Sequence, residues 1–255
     1  ATDKATVQQQ LSVSNPKLWS LDQPQQYTLR TIVTQNSQQI DRSEVKTGFR
    51  AFTFDANKGF ALNGEWMKVK GVCLHHDAGV LGAEVYPEVW RRRLLTLKSL
   101  GVNAIRTSHN PQASSLYALC DELGLLVMDE AFDEWEFPKR KWLQGWNFGT
   151  PGFEGSYDFF ESWGEQDLAD MVKRDRNHLS IFAWSIGNEV DYPNDPYSHP
   201  ILNEEKKEGG FTQASYGGYK KDAPDAMRLG DIAKRLVAVV KKYDKSRAVT
   251  AGLAG

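Results

Sequence analysis

The chain has 255 residues, of which 40% are hydrophobic and 25% charged, and its formal net charge is −2 at pH 7. This size and composition are typical of a globular protein of one large domain or slightly more. The interspersed acids and bases argue against a nucleic-acid-binding or membrane-surface protein, and no apolar run reaches the roughly 18 residues of a membrane span.

The first ten residues and the two cysteines carry little functional signal. Residues 1–10 lack a basic start followed by an apolar segment, so we expect no signal peptide in this chain, and the compartment is left undetermined. Cys73 and Cys120 have no metal-type spacing and both fall in apolar segments. We predict that both are buried free thiols.

Residues 1–62 show the pattern of short β-strands. Apolar and polar residues alternate over Gln8–Val13, Tyr27–Val33 and Gln39–Val45, and Asn15-Pro16 punctuates the first two runs. At least five strand-like elements are present, which would make up most of a small antiparallel sandwich.

From Trp66 onward, strands and helices alternate. Helical periodicity is clear where Trp90, Leu94 and Leu97 fall on one face. Such alternation with short linkers predicts a parallel sheet with right-handed crossovers. No glycine-rich phosphate loop follows the first strand, which disfavours a nucleotide enzyme. The strands are predicted at 66–74, 102–108, 125–128, 181–184 and 248–253, and the helices at 87–100, 116–124, 162–178 and 223–244.

Polar, titratable residues follow these strands. His75-His76-Asp77 follows the first, Arg106 and His109 end the second, Asp129-Glu130 ends the third, and Asn188-Glu189 follows the fourth. In parallel α/β proteins the residues beyond the carboxyl ends of strands face the ligand. Each of them alone could be an ordinary loop or core residue, and an arginine buried there must be paired, with Asp129 or Glu130 as the candidate partner.

Glu189 is the strongest candidate for an acid catalyst. A stiff apolar strand delivers it, and the neighbouring Trp184 and Ile186 predict partly apolar surroundings. Such surroundings favour the neutral acid and raise the pKa of a carboxyl group, which suits a general acid.

Two runs of the sequence resemble the signatures of glycoside hydrolase family 2, the β-galactosidase and β-glucuronidase family. One runs from Asp175-Arg176-Asn177-His178 through the apolar strand to Gly187-Asn188-Glu189, and departs from the family at Leu179. The other runs from Asn103 to Pro111 and departs at Asn110, where the family usually has tyrosine. The resemblance implies a (β/α)8 barrel beginning near residue 63, preceded by an immunoglobulin-like β-sandwich at 1–62.

The resemblance also implies a function. It implies a retaining β-glycosidase, most similar to β-galactosidases, in which Glu189 is the general acid and base. β-Glucuronidase and β-mannosidase are alternatives within the family. The substrate is then a carbohydrate, and nucleic acid and membrane partners are not expected, whereas association of copies is left open. The residues expected to bind sugar are His75, Asp77, Arg106, His109 and Asn188.

No cofactor is expected, although a divalent cation is kept as a less favoured alternative. The resemblance implies that some β-galactosidases of the family hold a cation through a glutamate and a histidine two residues later, together with the acid/base glutamate. Glu134 matches the first position, but Glu136 stands at the second. The following aromatic loop, with Trp135 and Trp146, is expected to form either a subsite wall or a packed flap.

The strand count falls short of a barrel. A closed barrel needs eight strands, and the pattern predicts five. Retaining hydrolysis also needs a second carboxylate, and neither Asp129 nor Glu130 is promoted to that role. We therefore expect the chain to be part of a longer enzyme and to be inactive alone. A non-catalytic carbohydrate-binding or scaffold chain is the alternative from another class.

Overall fold

The structure is a computed structural model that describes residues 6–84, 86–139, 141, 142, 144, 148–150, 152–191 and 226–253. The predicted insertion at 191–219 lies outside the described residues except for Asp191. The strands are β1 (Tyr27–Gln35), β2 (Gln38–Thr47), β3 (Phe52–Asp55), β4 (Gly59–Leu62), β5 (Glu65–Met67), β6 (Gly71–Leu74), β7 (Ala104–Thr107), β8 (Leu126–Glu130), β9 (Ile181–Ser185) and β10 (Ala248–Thr250). The helices are α1 (Pro87–Ser99), α2 (Ser114–Leu123), α3 (Tyr157–Asp175) and α4 (Ala226–Tyr243).

The main sheet has five parallel strands in the order β6-β7-β8-β9-β10. Among the described residues, one α-helix follows each of the first four strands, and sequence neighbours are also neighbours in the sheet. This confirms the five predicted parallel strands. It also sets all five carboxyl ends along one edge, where the predicted site residues lie.

Each face of this sheet has its own apolar core, because side chains alternate along a strand. Val127 and Ile181 join the cluster that contains the helical residues Leu94, Leu168 and Leu236. On the other face, Leu126 and Phe182 pack with Phe60, Leu62 and Trp19 from the first part of the chain. The three middle strands, β7, β8 and β9, are therefore buried on both sides, as their continuous apolar sequences predict.

The first part of the chain forms two separate antiparallel units. β1 and β2 make a hairpin whose side chains are mostly exposed, and β3, β4 and β5 make a three-stranded sheet. The strand predicted at Gln8–Val13 is not formed, since these residues are exposed and have no pairing partner among the described residues. The predicted domain boundary at 62 and 63 stays a prediction; it falls in the turn between β4 and β5.

Two further predictions need correction. The single strand predicted over 66–74 is two strands, because β5 pairs with β4 and β6 pairs with β7, in a different sheet. Cys73 is exposed rather than buried, whereas Cys120 is buried as predicted and burial raises the pKa of its thiol. Among the described residues, no helix has both the length and the hydropathy needed to cross a bilayer.

Candidate active site

The carboxyl ends of the strands bring four of the predicted residues together. Arg106 on β7 donates from Nη2 to Oδ1 of Asn188 at 2.8 Å and from Nε to Oε2 of Glu130 at 2.8 Å. The rings of His75 and His109 meet edge to face, with centroids 5.2 Å apart. Together with Ser185 these residues form a strand-end cluster, consisting of His75, Arg106, His109, Glu130, Ser185 and Asn188.

Glu130 is the anion at the centre of this cluster. Its side chain is fully buried, and it accepts hydrogen bonds from Arg106, from Ser185 Oγ at 2.6 Å and from His109 Nδ1 at 2.6 Å. A buried carboxylate needs such partners, since an unpaired charge there would be strongly destabilising. Glu130 is therefore the partner of Arg106, and its oxygens are engaged in holding the cluster.

Asp129 belongs to a different network, behind the strand. Its Oδ1 accepts from the Tyr117 hydroxyl at 2.6 Å and from Thr107 Oγ1 at 3.2 Å. Burial, reinforced by the negative charge of Asp175, raises the pKa of Asp129 to about 8. These contacts tie Asp129 to α2 rather than to the strand-end cluster.

Asn188 is held by protein contacts at every polar group. Its side-chain oxygen accepts from Arg106, and its Nδ2 donates to Asp133 Oδ1 at 3.0 Å. Its backbone N–H donates to the Phe132 carbonyl at 2.9 Å, and its backbone carbonyl accepts from Lys139 Nζ at 2.8 Å. These contacts fix the position of Asn188, the residue that precedes Glu189.

Glu189 follows Asn188 with an unusual backbone. Its φ is +42°, in the left-handed region that non-glycine residues rarely adopt. Its side chain is 48% exposed, and Oε2 lies 3.7 Å from Lys139 Nζ. The carboxylate therefore stands in the open at the strand ends, within reach of a ligand.

The apolar surroundings predicted for Glu189 are not formed. Trp184 is fully buried on the strand, and its indole N–H donates to Asp244 Oδ2 at 2.8 Å. The Glu189 carboxylate instead has a charged neighbour, the ammonium of Lys139, 3.7 Å from its Oε2. The prediction was wrong because neighbours in the sequence need not share an environment: Trp184 and Ile186 are buried in the core, whereas the Glu189 side chain is 48% exposed.

The structure leaves Asp77 outside the strand-end cluster. Its Oδ1 accepts from the Gly79 N–H at 2.7 Å, and its carbonyl accepts from Arg93. The side chain is on the surface beside His75, and its expected role in binding sugar stays a prediction.

The acidic residues considered for a cation are both engaged by N–H donors. Glu134 is buried, and its Oε2 accepts from Lys141 Nζ at 2.5 Å and from the Lys139 N–H at 2.7 Å. Glu136 pairs with Arg228, whose Nη2 is 2.7 Å from Oε1. Within the part of the chain that the structure describes, no three His, Cys, Asp or Glu side chains converge as a metal site would require.

Three residues of the site were not found from the sequence. Ser185 could have been suspected, because it is the last residue of β9, and Asp133 lies in the acidic run before Trp135. Lys139 gave no signal, since a lysine in a loop is ordinarily a solvated charge. Only the folded chain shows it 8% exposed beside Asn188.

The aromatic loop contributes packing in the part that is described. Trp135 is buried, donates its indole N–H to the Ile186 carbonyl at 2.8 Å, and stacks with Phe160 at 6.1 Å between ring centroids. Trp135 therefore packs against the segment that follows β9, and whether the loop forms a subsite wall or a packed flap stays a prediction. Phe148 is exposed, and Trp146 lies outside the described residues.

Two family models match the chain. The model described as the TIM barrel domain of glycosyl hydrolases family 2 matches residues 56–252, and a second family 2 model matches residues 1–50. The fold class expected from the sequence is thereby confirmed, and the five parallel strands are part of such a barrel, preceded by a family 2 domain.

Individual relatives agree with these matches. The chain is 43% identical over 249 residues to the β-galactosidase BoGH2A of Bacteroides ovatus, and 30% identical over 181 residues to a β-glucuronidase of Bacteroides fragilis. A solved structure of a family 2 member from Bacteroides cellulosilyticus is 35% identical and superposes with a TM-score of 0.71.

These matches cover most of this chain but only a small part of each relative. They cover 96%, 71% and 93% of this chain, in the same order, but 27%, 25% and 25% of the relatives. The chain thus spans about a quarter of the length of the proteins that it matches.

Proposed function

Because the chain belongs to glycosyl hydrolase family 2, we propose that it supplies the acid/base side of a retaining β-glycosidase that cleaves terminal β-D-galactosides. The observation that carries the proposal is the placement of Glu189. Its carboxylate is half exposed at the end of β9, next to an asparagine that is held from four directions. The strand-end cluster beside it is polar enough to receive sugar hydroxyl groups.

The reaction proceeds in two steps that both use Glu189. A second carboxylate attacks the anomeric carbon while Glu189 gives its proton to the glycosidic oxygen, and the leaving group departs as an alcohol. Glu189, now ionised, then takes a proton from a water molecule that attacks the anomeric carbon and releases the sugar with retained configuration. The exposed carboxylate can reach both the leaving oxygen and the water.

We place the second carboxylate, the nucleophile, on a residue outside these 255, as the resemblance to the family implies. Retaining enzymes place the two carboxyl groups about 5–5.5 Å apart. Glu130 is buried under three donors and Asp129 is tied to Tyr117, so neither is free to attack a substrate. The 255-residue polypeptide alone is accordingly expected to be inactive.

The strand-end cluster binds the sugar. The rings of His75 and His109 meet edge to face at the strand ends, and Asn188, which precedes the acid, accepts a hydrogen bond from Arg106. These groups hold hydroxyl groups of the sugar that is transferred, with Asn188 directed to the 2-hydroxyl. Asp77 is placed at the margin of this subsite.

A neutral sugar fits the charges better than a uronic acid does. Among the described residues of the site, Arg106 is paired with Glu130, and Lys139 is paired with Asp133. A glucuronide would need a cation free to meet its carboxylate. The 43% identity to a β-galactosidase points the same way. β-Glucuronide and β-mannoside hydrolysis are the alternatives.

A panel of aryl β-glycosides tests the proposal. The full-length protein that contains this chain should hydrolyse the galactoside faster than the glucuronide, mannoside or glucoside. Glu189→Gln should reduce the galactoside rate by about 100-fold or more, since general acid–base catalysis contributes roughly 10²–10⁴-fold. Glu65→Gln, an exposed change on β5, is the matched control and should leave the rate unchanged.

Two results of the same panel would contradict the proposal. Faster hydrolysis of another glycoside would change the assigned substrate but leave the assignment as a hydrolase. No hydrolysis of any sugar by the full-length protein would favour a non-catalytic carbohydrate-binding or scaffold role.

A further inference from the structure

We infer that Lys139 is a positioning residue for the acid/base glutamate. Lys139 and Lys141 together supply the positive charge that a divalent cation would otherwise bring to the carboxylates of Asp133, Glu134 and Glu189, which form one corner of the site. The inference rests on the proposed function, because it concerns how Glu189 is held for its role. It adds two residues that the mechanism above does not use.

The Lys139 ammonium lies among the groups that hold Glu189. The side chain is 9% exposed, so its charge needs partners. It finds them in Asp133 Oδ1 at 2.8 Å, in the carbonyl oxygen of Asn188 at 2.8 Å and in Glu189 Oε2 at 3.7 Å. The Lys139 ammonium thus hydrogen-bonds to the peptide carbonyl that precedes Glu189 and to the Asp133 carboxylate, and it lies near the Glu189 carboxylate.

The backbone of Glu189 also depends on Lys139. The Asn188 carbonyl belongs to the peptide plane from which the φ of Glu189 is measured, and that φ is +42°. A conformation that is unfavourable for a non-glycine residue persists only where neighbours fix it. The hydrogen bond from Lys139 fixes this plane on the carbonyl side, and Asn188 side-chain contacts fix it from behind.

Glu134 is the residue that a cation would use. Its Oε2 already accepts from Lys141 Nζ and from the Lys139 N–H. Its Oε1 lies against Gly155, where even a Cβ would come within 1.9 Å of that oxygen. A divalent cation needs several open oxygen ligands around it, and Glu134 does not offer them. The residues present therefore do not fit the cation site that the resemblance implies.

The charges agree with this replacement. Asp133, Glu134 and Glu189 are the carboxylates of this corner, and Lys139 and Lys141 contact all three of them. An ammonium carries less charge than Mg²⁺ but is attached to the chain, so it needs no free ion in solution. We therefore expect a cation-independent enzyme.

The test separates positioning from simple stability by varying the leaving group. Values of kcat/KM are measured on the full-length protein for 2,4-dinitrophenyl β-galactoside, which needs no proton on leaving, and for phenyl β-galactoside, which does. Lys139→Met should lower kcat/KM for the phenyl substrate by about 10-fold more than for the dinitrophenyl substrate, because only the former reports a misplaced acid. Lys139→Arg, which keeps the charge, should recover part of the loss.

A second lysine provides the matched control. Lys98 Nζ donates to the carbonyls of Leu21, Leu123 and Gly124 at the amino-terminal side of β8, away from the site. Lys98→Met should lower the melting temperature without changing the ratio between the two substrates.

The outcomes distinguish the inference from the proposed function. If the unaltered protein cleaves neither substrate, the hydrolase itself is wrong. If it cleaves both and Lys139→Met lowers both equally, or neither, Lys139 is not a positioning residue. Equilibrium dialysis against Mg²⁺ should show no stoichiometric binding, and removal of cations by a chelator should leave kcat/KM unchanged. Stoichiometric binding with loss of activity in chelator would overturn the replacement.

Discussion

At the scale of single residues, Glu189 owes its position to groups that hold its backbone rather than to its own side chain. Arg106, Asp133 and Lys139 all act on the preceding Asn188, and the carboxylate of Glu189 is left half exposed. An acid that must first give and then take a proton benefits from this arrangement, since its backbone is fixed while its oxygens stay free.

A substitution at Gly252 would test how closely the backbone packs against Arg106. This glycine follows β10, and a Cβ added to it would lie 2.9 Å from Arg106 Nη2 and 3.5 Å from Asn188 Oδ1. Gly252→Ala should displace the guanidinium and lower kcat/KM for an aryl galactoside by about 10-fold. Gly230→Ala on α4, where nothing lies within 4 Å, is the control and should keep full activity. Equal activity of both variants would show that Arg106 need not sit where it does.

Asp129 predicts an unusual dependence of stability on pH. Its pKa is about 8 in the folded protein, against 3.8 for an unperturbed group. The folded state therefore binds more protons than the unfolded state between these values, and stability falls as pH rises through this range. In Asp129→Asn this contribution is absent, so its melting temperature should decline less between pH 5 and pH 8. Parallel declines in both proteins would contradict the prediction.

At the scale of elements, the turn after α2 is in close contact with the first part of the chain. Gly124 has a φ of +71°, and a Cβ there would meet the Leu21 carbonyl oxygen at 2.2 Å. Trp19 supports the same junction by donating its indole N–H to the Asp121 carbonyl at 2.8 Å.

Gly124→Ala should therefore be costly. We expect a loss of roughly 2 kcal/mol or more in the free energy of unfolding, because both the backbone conformation and the close approach are disturbed. Gly101→Ala isolates the first effect, since its φ is +88° but nothing lies within 4 Å. It should cost only about 1 kcal/mol. Urea unfolding of both variants measures the difference; equal losses would mean that the Leu21 contact is not tight.

The elements were predictable where their signal is local. The five parallel strands and the helices between them follow from apolar periodicity, which neighbouring residues determine. The division of 66–74 into two strands was not predictable, because it depends on which sheet each half joins. Gln8–Val13 has a strand pattern, but a pattern supplies no pairing partner.

For the site, the sequence predicted which residues lie at the strand ends but not how they contact one another. The residues at the strand ends were found because a parallel sheet aligns its carboxyl ends. The contacts between them were not, since Lys139 reaches Asn188 across 49 positions of sequence and Ser185 reaches Glu130 across 55. Apolar neighbours in the sequence also gave a wrong environment for Glu189, which is set by residues from another loop.

At the scale of the whole molecule, the described sheet has two open edges, β6 and β10. In a closed barrel each edge strand pairs with a further strand. The hairpin of β1 and β2 also exposes apolar side chains, such as Leu29, Ile32 and Ile40. Open parallel edges and exposed apolar faces favour association.

The 255-residue polypeptide by itself should consequently associate or bind a hydrophobic dye. Light scattering coupled to size-exclusion chromatography, with dye fluorescence on the same sample, checks this. The full-length protein that contains the chain should bind less dye per molecule. A monomeric 255-residue polypeptide that binds no dye would show that these edges are covered in another way.

The role of Glu189 as acid and base is the central claim, and azide rescue of Glu189→Ala tests it most directly. With 2,4-dinitrophenyl β-galactoside the variant of the full-length protein should form the glycosyl-enzyme but release it slowly, because no base activates water. Azide needs no base, so it should restore turnover and yield the β-galactosyl azide. Absence of rescue would contradict the assignment, and the α-galactosyl azide would identify Glu189 as the nucleophile instead.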